Sequence, residues 1–218
     1  MADAAEITTQ DSTLEKWTRA LAEPVGSPGG GAGAGVMFAI AASLTSMVGG
    51  YTEPTEEQRD VLDAVIARAQ KRRQVALQLA DEDAEASKAF GAAFAMERGA
   101  ERRRAIRDAS LGAARSSVIL GEHAAEAIDD LCWLAEHGNS ALIADVVVAF
   151  GALRAAVTGA RTNASFDLAA LKSSGSTLEQ VQNRHPKLWA SVEALDSAIV
   201  RIDAATAAVD DRAAPTDA

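Results

Sequence analysis

The sequence predicts an all-α protein, an up-and-down helical bundle with long central helices. Apolar residues recur at helical spacing along most of the chain, and no segment shows sustained alternation of β-branched residues. The 218 residues are 48% hydrophobic but only 4% aromatic, so burial must come from Ala, Val, Leu and Ile. Small side chains let helices approach closely, which suits a bundle better than a sheet sandwich.

Taken in order, residues 1–11 are polar and read as a loose tail. Ser12 with Glu15 three positions later makes a capping box for a short helix to about Ala22, ended by Pro24 and Pro28. The run Ser27-Pro28-Gly29-Gly30-Gly31-Ala32-Gly33-Ala34-Gly35 opens directly into a helix to about Val48, closed by Gly49, Gly50 and Pro54. A long helix follows from about Thr55 to Met96, with Leu62, Val65, Ile66, Ala69, Ala76, Leu79, Ala86, Phe90 and Phe94 on one stripe. Gly99 is expected to interrupt or kink it, with helix resuming to Leu120. Gly121 then separates a helix to His137, and Gly138-Asn139 makes a stop and a new start for a helix to about Leu171. Lys172 to Ser176 is a loop, Thr177 with Gln180 is a second capping box, and Pro186 breaks the chain before a last helix to about Asp210. No linker divides the chain, so residues 12–211 are expected to form a single domain with flexible tails at 1–11 and 212–218.

The net charge of −10 argues against a nucleic-acid partner, because phosphate binding needs clustered cations. The basic positions Lys71, Arg72, Arg73, Arg98, Arg102, Arg103, Arg104 and Arg107 are interleaved with acids and read as a solvated helix face or a local anion site. A single cysteine, Cys132, excludes an intrachain disulfide, and His123, His137 and His185 lack metal-ligand spacing, so neither a metal nor redox chemistry is expected. No secretory signal is visible at the start. The longest weakly polar run, Ala32 to Val48, falls short of the roughly 20 residues that span a bilayer and carries Ser43, Thr45 and Ser46. It reads as a buried helix, and a cytoplasmic protein without a membrane partner is expected.

The glycine-rich run lacks the Gly-Lys-Ser/Thr ending of a phosphate loop and follows no strand, so neither nucleotide fingerprint applies. Because it feeds straight into an apolar helix, two readings stay open: bare amides at a helix start that face a polar ligand, or close helix packing alone. Asp83 sits on the apolar stripe itself, four positions after Leu79 and three before Ala86. Desolvation there raises a carboxylate's pKa and suits it to moving protons near neutral pH, unless a neighbouring cation or helix cap satisfies it. Asp145 and Asn163 lie eighteen residues apart, five helical turns, on a face that also carries Ala149, Ala152, Ala156 and Gly159. Roughly 27 Å separates them along the axis, so within one subunit both cannot touch one small reacting centre. Either they serve different parts of a long ligand, or a symmetric partner brings one into its neighbour's site. Asn139 reads equally as a helix N-cap. The small-residue face is longer than one helical neighbour needs and is expected to carry a homodimer contact.

Three motifs then match a known family in order. They are Pro28-Gly29-Gly30-Gly31 opening a small-residue helix with Met47 and Thr52 downstream, Asp83-Ala84-Glu85-Ala86, and Gly138-Asn139 followed by Asp145, Gly159-Ala160 and Asn163. From about Leu14 to Leu171 the chain resembles the folate-dependent cyclodeaminase/cyclohydrolase family. The resemblance implies an all-helical homodimer that binds tetrahydrofolate as substrate, without metal. Members close formimidoyltetrahydrofolate to methenyltetrahydrofolate with loss of ammonia, or hydrolyse the methenyl form. It also implies Asp83 as the catalytic proton carrier and Pro28, Gly29, Gly30, Gly31, Asn139, Asp145 and Asn163 as substrate-binding residues. The chain departs from the family pattern at Ser87, where an aromatic is usual, at Asp167, which replaces a second Asn, and at Ala95-Met96-Glu97, which lacks a Leu-Pro turn. The alternative is a divergent helical protein that binds a folate-like ligand without turnover.

Overall fold

Small residues at helical spacing permit close packing, and the computed structural model, which describes residues 7–24, 26–173 and 177–213, uses them to build an all-helical bundle. The helices are α1 (Leu14–Ala22), α2 (Gly30–Gly50), α3 (Arg59–Ala95), α4 (Ala100–Ala125), α5 (Ile128–His137), α6 (Ile143–Ser173), α7 (Leu178–Arg184) and α8 (Pro186–Ala213), with a 3-10 turn at Ser140–Leu142 leading into α6. No strand occurs among the described residues.

A ring of four antiparallel helices forms the centre, α2 against α3 and α6, and α4 against α3 and α6. The order along the contacts fixes the directions: Gly35 of α2 meets Ala80 of α3 while Gly49 meets Ile66, and Gly159 of α6 meets Ala34 of α2. A Cβ on Gly35 would lie 2.7 Å from that of Ala80 and 3.1 Å from the Ala76 carbonyl oxygen, so α2 approaches α3 more closely than any side chain there allows. The core between them is filled by Phe38, Val65, Leu131, Phe150 and Leu153, all fully buried. Outside the ring, α8 covers α6 and α4, held by Arg154–Asp203 and Arg161–Asp196 ion pairs along α6.

Several boundaries differ from the sequence expectation, each for a local reason. Thr13 rather than Ser12 caps α1, its side chain accepting from the Lys16 N–H, while Ser12 Oγ accepts from Thr8 one turn earlier. The described part of the N-terminal segment is not loose, because Asp81 accepts from the Thr9 N–H at 2.5 Å and from Gln10, and Trp17 donates to Thr9. Gly99 reverses the chain instead of kinking one helix, so α3 and α4 form a hairpin. Gly121 lies inside α4, where a Cβ would meet Leu195 at 2.7 Å and Ala160 at 3.1 Å; it is a packing glycine, and the break falls after Ala125. Pro186 opens α8, at the helix position where a missing N–H costs nothing. The Thr177–Gln180 capping box is present as read. Of the expected loop at 172–176, positions 174–176 lie outside the described residues, as do 1–6 and 214–218 of the expected tails; residues 212–213 continue α8.

Two segments, Gly30–Gly50 and Ser140–Leu171, are long and apolar enough to cross a membrane by length and composition, against the expectation that the first falls short. The bundle buries 56% of the first window but only 39% of the second, so α6 keeps an apolar outer face.

The glycine packing gives a first prediction. Gly35→Val forces a side chain against Ala80 and the Ala76 backbone and should destabilise by about 2–3 kcal/mol. Gly112→Ala, in open space within α4, should instead stabilise by about 0.5–1 kcal/mol. Urea unfolding midpoints of the two variants check both signs.

Candidate active site

The first N–H groups of a helix have no intrahelical partner, and α2 begins at Gly30. Asp83, reaching across from α3, accepts hydrogen bonds from the Ala32 backbone N–H and from the Ser87 hydroxyl one turn further along its own helix. The carboxylate lies so close to α2 that a Cβ on Gly31 would fall 2.2 Å from Oδ1 and 2.3 Å from Oδ2. Glycine is therefore required at 31, whereas Gly30 faces open space. The loop before α2 is tied to the same part of α3, since Ser27 Oγ donates to the Ala84 carbonyl at 3.0 Å. Gly26 takes a left-handed φ of +84°, and Pro28 is buried under the loop.

These elements enclose a cleft of about 360 Å³. Gly29, Gly30 and Gly31 form one wall, Asp83, Ser87 and Phe90 another, and Ser117 of α4 with Asn163, Phe166 and Asp167 of α6 complete it. Past the shared Ala113 the cleft runs into a larger apolar groove between α3 and α4, lined by alanines and Met96.

Asp83 is only 7% exposed, and burial pushes its pKa up against the opposing pull of its two hydrogen bonds. Asp167, half-buried on the facing wall, is pushed up to about 7, first by burial and then by the negative charge of Asp83. The other lining residues carry no charge. Two carboxylates with raised pKa values in one cleft equip it to give and take protons near neutral pH.

Of the residues singled out in the sequence, Gly29, Gly30, Gly31, Asp83 and Asn163 come together here. Pro28 supports the loop from below. Asn139 and Asp145 lie at the opposite end of α6. Asn139 is built into the frame: its side-chain oxygen accepts from the Ala141 N–H, its amide donates to the Tyr51 carbonyl, and its N–H donates to Thr52 Oγ1. Asp145 occupies the first turn of α6, where a negative charge meets the positive end of the helix dipole. The face bearing Ala149, Ala156 and Gly159 is buried within the chain against α2 and does not offer an external contact, which corrects the expected dimer surface. Of the basic positions, Arg72 is committed to Asp130 and Arg102 to the Phe94 carbonyl. Sequence reasoning had not assigned Asp167, Ser87 or Ser117 to the site. The available signal for the first two was spacing, since Asp167 is one turn from Asn163 and Ser87 one turn from Asp83. Among the described residues no group of three or more His, Cys, Asp or Glu is placed to hold a metal ion.

The fold and cleft define an all-helical protein with a paired-carboxylate site at the start of a glycine-rich helix. A sequence profile described as formiminotransferase-cyclodeaminase matches residues 13–184, and the chain belongs to that family. Its fold matches the crystal structure of formiminotetrahydrofolate cyclodeaminase from Thermotoga maritima with a TM-score of 0.75 and 21% identity, over 93% of this chain and 96% of that one. No curated protein matches the chain.

The raised Asp167 has a consequence for stability. Between the ordinary carboxylate value of 3.8 and about 7, the unfolded chain ionises at this position while the folded protein holds the proton. The contribution of Asp167 to stability is thus largest below pH 3.8 and is lost as pH rises to about 7. Asp167→Asn removes the loss, so the variant should melt above wild type at pH 8, with the gap closing toward pH 4. Thermal melts across that range test the sign.

Proposed function

We propose that this protein closes formimidoyltetrahydrofolate to methenyltetrahydrofolate with release of ammonia. The observation that carries the reading is the Asp83 carboxylate, buried against Gly31 and facing Asp167 in one cleft. Ring closure passes through a tetrahedral carbon between two nitrogens, which demands proton removal from the attacking nitrogen and proton delivery to the departing one. Family membership supports the substrate class. The cleft suits the pterin ring, its polar edge toward the α2 amides and Asn163, and the adjoining alanine-lined groove suits the aminobenzoyl group. Residues 12–211 act as one unit in this reading.

The test follows methenyltetrahydrofolate absorbance and ammonia release with purified protein, starting separately from the formimidoyl and the methenyl substrates. Absorbance gain with equimolar ammonia from the first is expected. Hydrolysis of the second in its place identifies a cyclohydrolase, and binding without either reaction identifies a ligand-binding relative. Asp83→Asn should lower kcat by about 100-fold or more with little change in folate affinity and no fall in melting temperature. Gly31→Ala should abolish binding by displacing Asp83, while Gly30→Ala, in open space, should leave it intact.

The homodimer belongs to the same reading, on a different surface from the one expected. Met37 and Ile40 of α2 are each 42% exposed and Val148 of α6 is 59% exposed. With Met47, Gly151 and Ala155 they make an uncharged face on the side of α2 and α6 away from α3 and α4. Two helices about 30 Å long and 10 Å wide give on the order of 600 Å² per copy, at the lower bound of specific interfaces. A two-fold axis near Gly151 sets the start of the partner's α6 beside exposed Phe166, bringing Asp145 of the partner subunit toward the cleft. Sedimentation should show a dimer at micromolar concentration, and Val148→Asp should give a helical monomer; a monomeric wild type removes the dimer.

A further inference from the structure

The cleft holds two carboxylates in unequal surroundings, and the inequality assigns them different work. Asp83 receives two hydrogen-bond donors, the Ala32 N–H and the Ser87 hydroxyl. Ionised carboxylates are pure acceptors, so both contacts favour its charged form. Asp167 receives none: among the described residues no hydrogen bond or ion pair reaches it. It stands on the α6 face of Asn163, four residues on, and lines the same cleft from the opposite wall. The groups facing it are Asp83 from α3, Ser117 and Ala113 from α4, and the glycine loop of α2, so Asp83 is the only charge it meets and no cation is there to ionise it. Two carboxylates facing each other in a partly dry cleft cannot both ionise cheaply.

We propose, resting on the cyclodeaminase reading, that Asp167 is a second catalytic residue, the proton donor of a couple in which Asp83 is the base. The proton count closes. Asp167 gives its proton to the imino nitrogen as N10 attacks the formimidoyl carbon, forming the N10–C bond and turning the imine into an amine. Asp83 takes the N10 proton. Asp83 then passes that proton to the amine, the C–N bond breaks, and ammonia leaves with its electron pair. Methenyltetrahydrofolate remains as the cation, both carboxylates are ionised, and water reprotonates Asp167. One proton is consumed in each turnover, as the overall reaction requires. The raised Asp167 value, about 7, agrees with a resting donor that is protonated at neutral pH.

The active form carries one proton on Asp167 and none on Asp83, so turnover should fall as pH rises through about 7. Asp167→Asn should lower kcat at pH 7 by about 100-fold with KM little changed, and should abolish that alkaline limb. Asp167→Glu should restore part of the rate and the limb with it. In the ligand-free protein, carbon-13 NMR of the aspartate carboxyls should place Asp167 near neutrality, with Asp83→Asn moving it down. An Asp167→Asn variant that keeps wild-type kcat, or a limb unmoved by the substitution, overturns the couple while the cyclodeaminase reading stands. A wild-type protein that makes no methenyltetrahydrofolate from the formimidoyl substrate overturns both, and the two failures are told apart by which protein lacks turnover.

Discussion

The contact between α2 and α3 through bare glycine positions is the constraint on which the rest of the molecule depends. Gly31, Gly35 and Gly49 fall on one side of α2, and a Cβ at each would sit 2.2–2.7 Å from Asp83, Ala80 or Ile66. Spread along the helix, they let two backbones run together over the length of α2. Glycine in a helix interior is destabilising by about 0.5–1 kcal/mol relative to alanine, so the arrangement needs a compensating gain. Close packing supplies part of it through the buried core that α2 and α3 share. At the α2 start it also does something chemical, setting a carboxylate against amides that no other helical residue could satisfy.

A second charged contact shows what a purely structural carboxylate looks like in this protein. Asp130, only 5% exposed, is gripped by Arg68 at 2.5 Å and by Arg72, fastening α5 to α3. Its charge is matched, and removing one partner of such a buried pair typically costs roughly 3–5 kcal/mol. Asp83 is buried to a similar degree but meets a helix end, a hydroxyl and another acid. Burial alone does not separate the two roles; the sign of the neighbours does.

Much of this was legible in local pattern. The helical stripe placed Asp83 toward the core before any contact was known, and the glycine run announced a close approach at the α2 start. What stayed illegible depended on partners far away in sequence. Asp167 reads as one more acid on a long helix until α3 is laid against it. The same limit explains Gly121, which looks like a helix stop but is a contact with Leu195 and Ala160. The small-residue face of α6 could serve an inner or an outer neighbour, and periodicity carries no sign to tell which. Ser12 and Thr13 are both competent caps, and tertiary contacts of the preceding segment decide between them.

Asn139 illustrates how a residue remote from the chemistry can still govern it. It caps the turn that starts α6 while latching that turn to Tyr51 and Thr52 at the end of α2. Gly159 seats α6 on Ala34 further along. Two points fix the register of a rigid helix, and each residue advances it by about 1.5 Å and 100° of rotation. A slip of one residue at the Asn139 latch would carry Asn163 and Asp167 round the axis and out of the cleft. The latch at one end of the bundle and the glycine seat in the middle therefore place the two side chains at the other, which is why a site of a few residues draws on helices along the whole length of the fold.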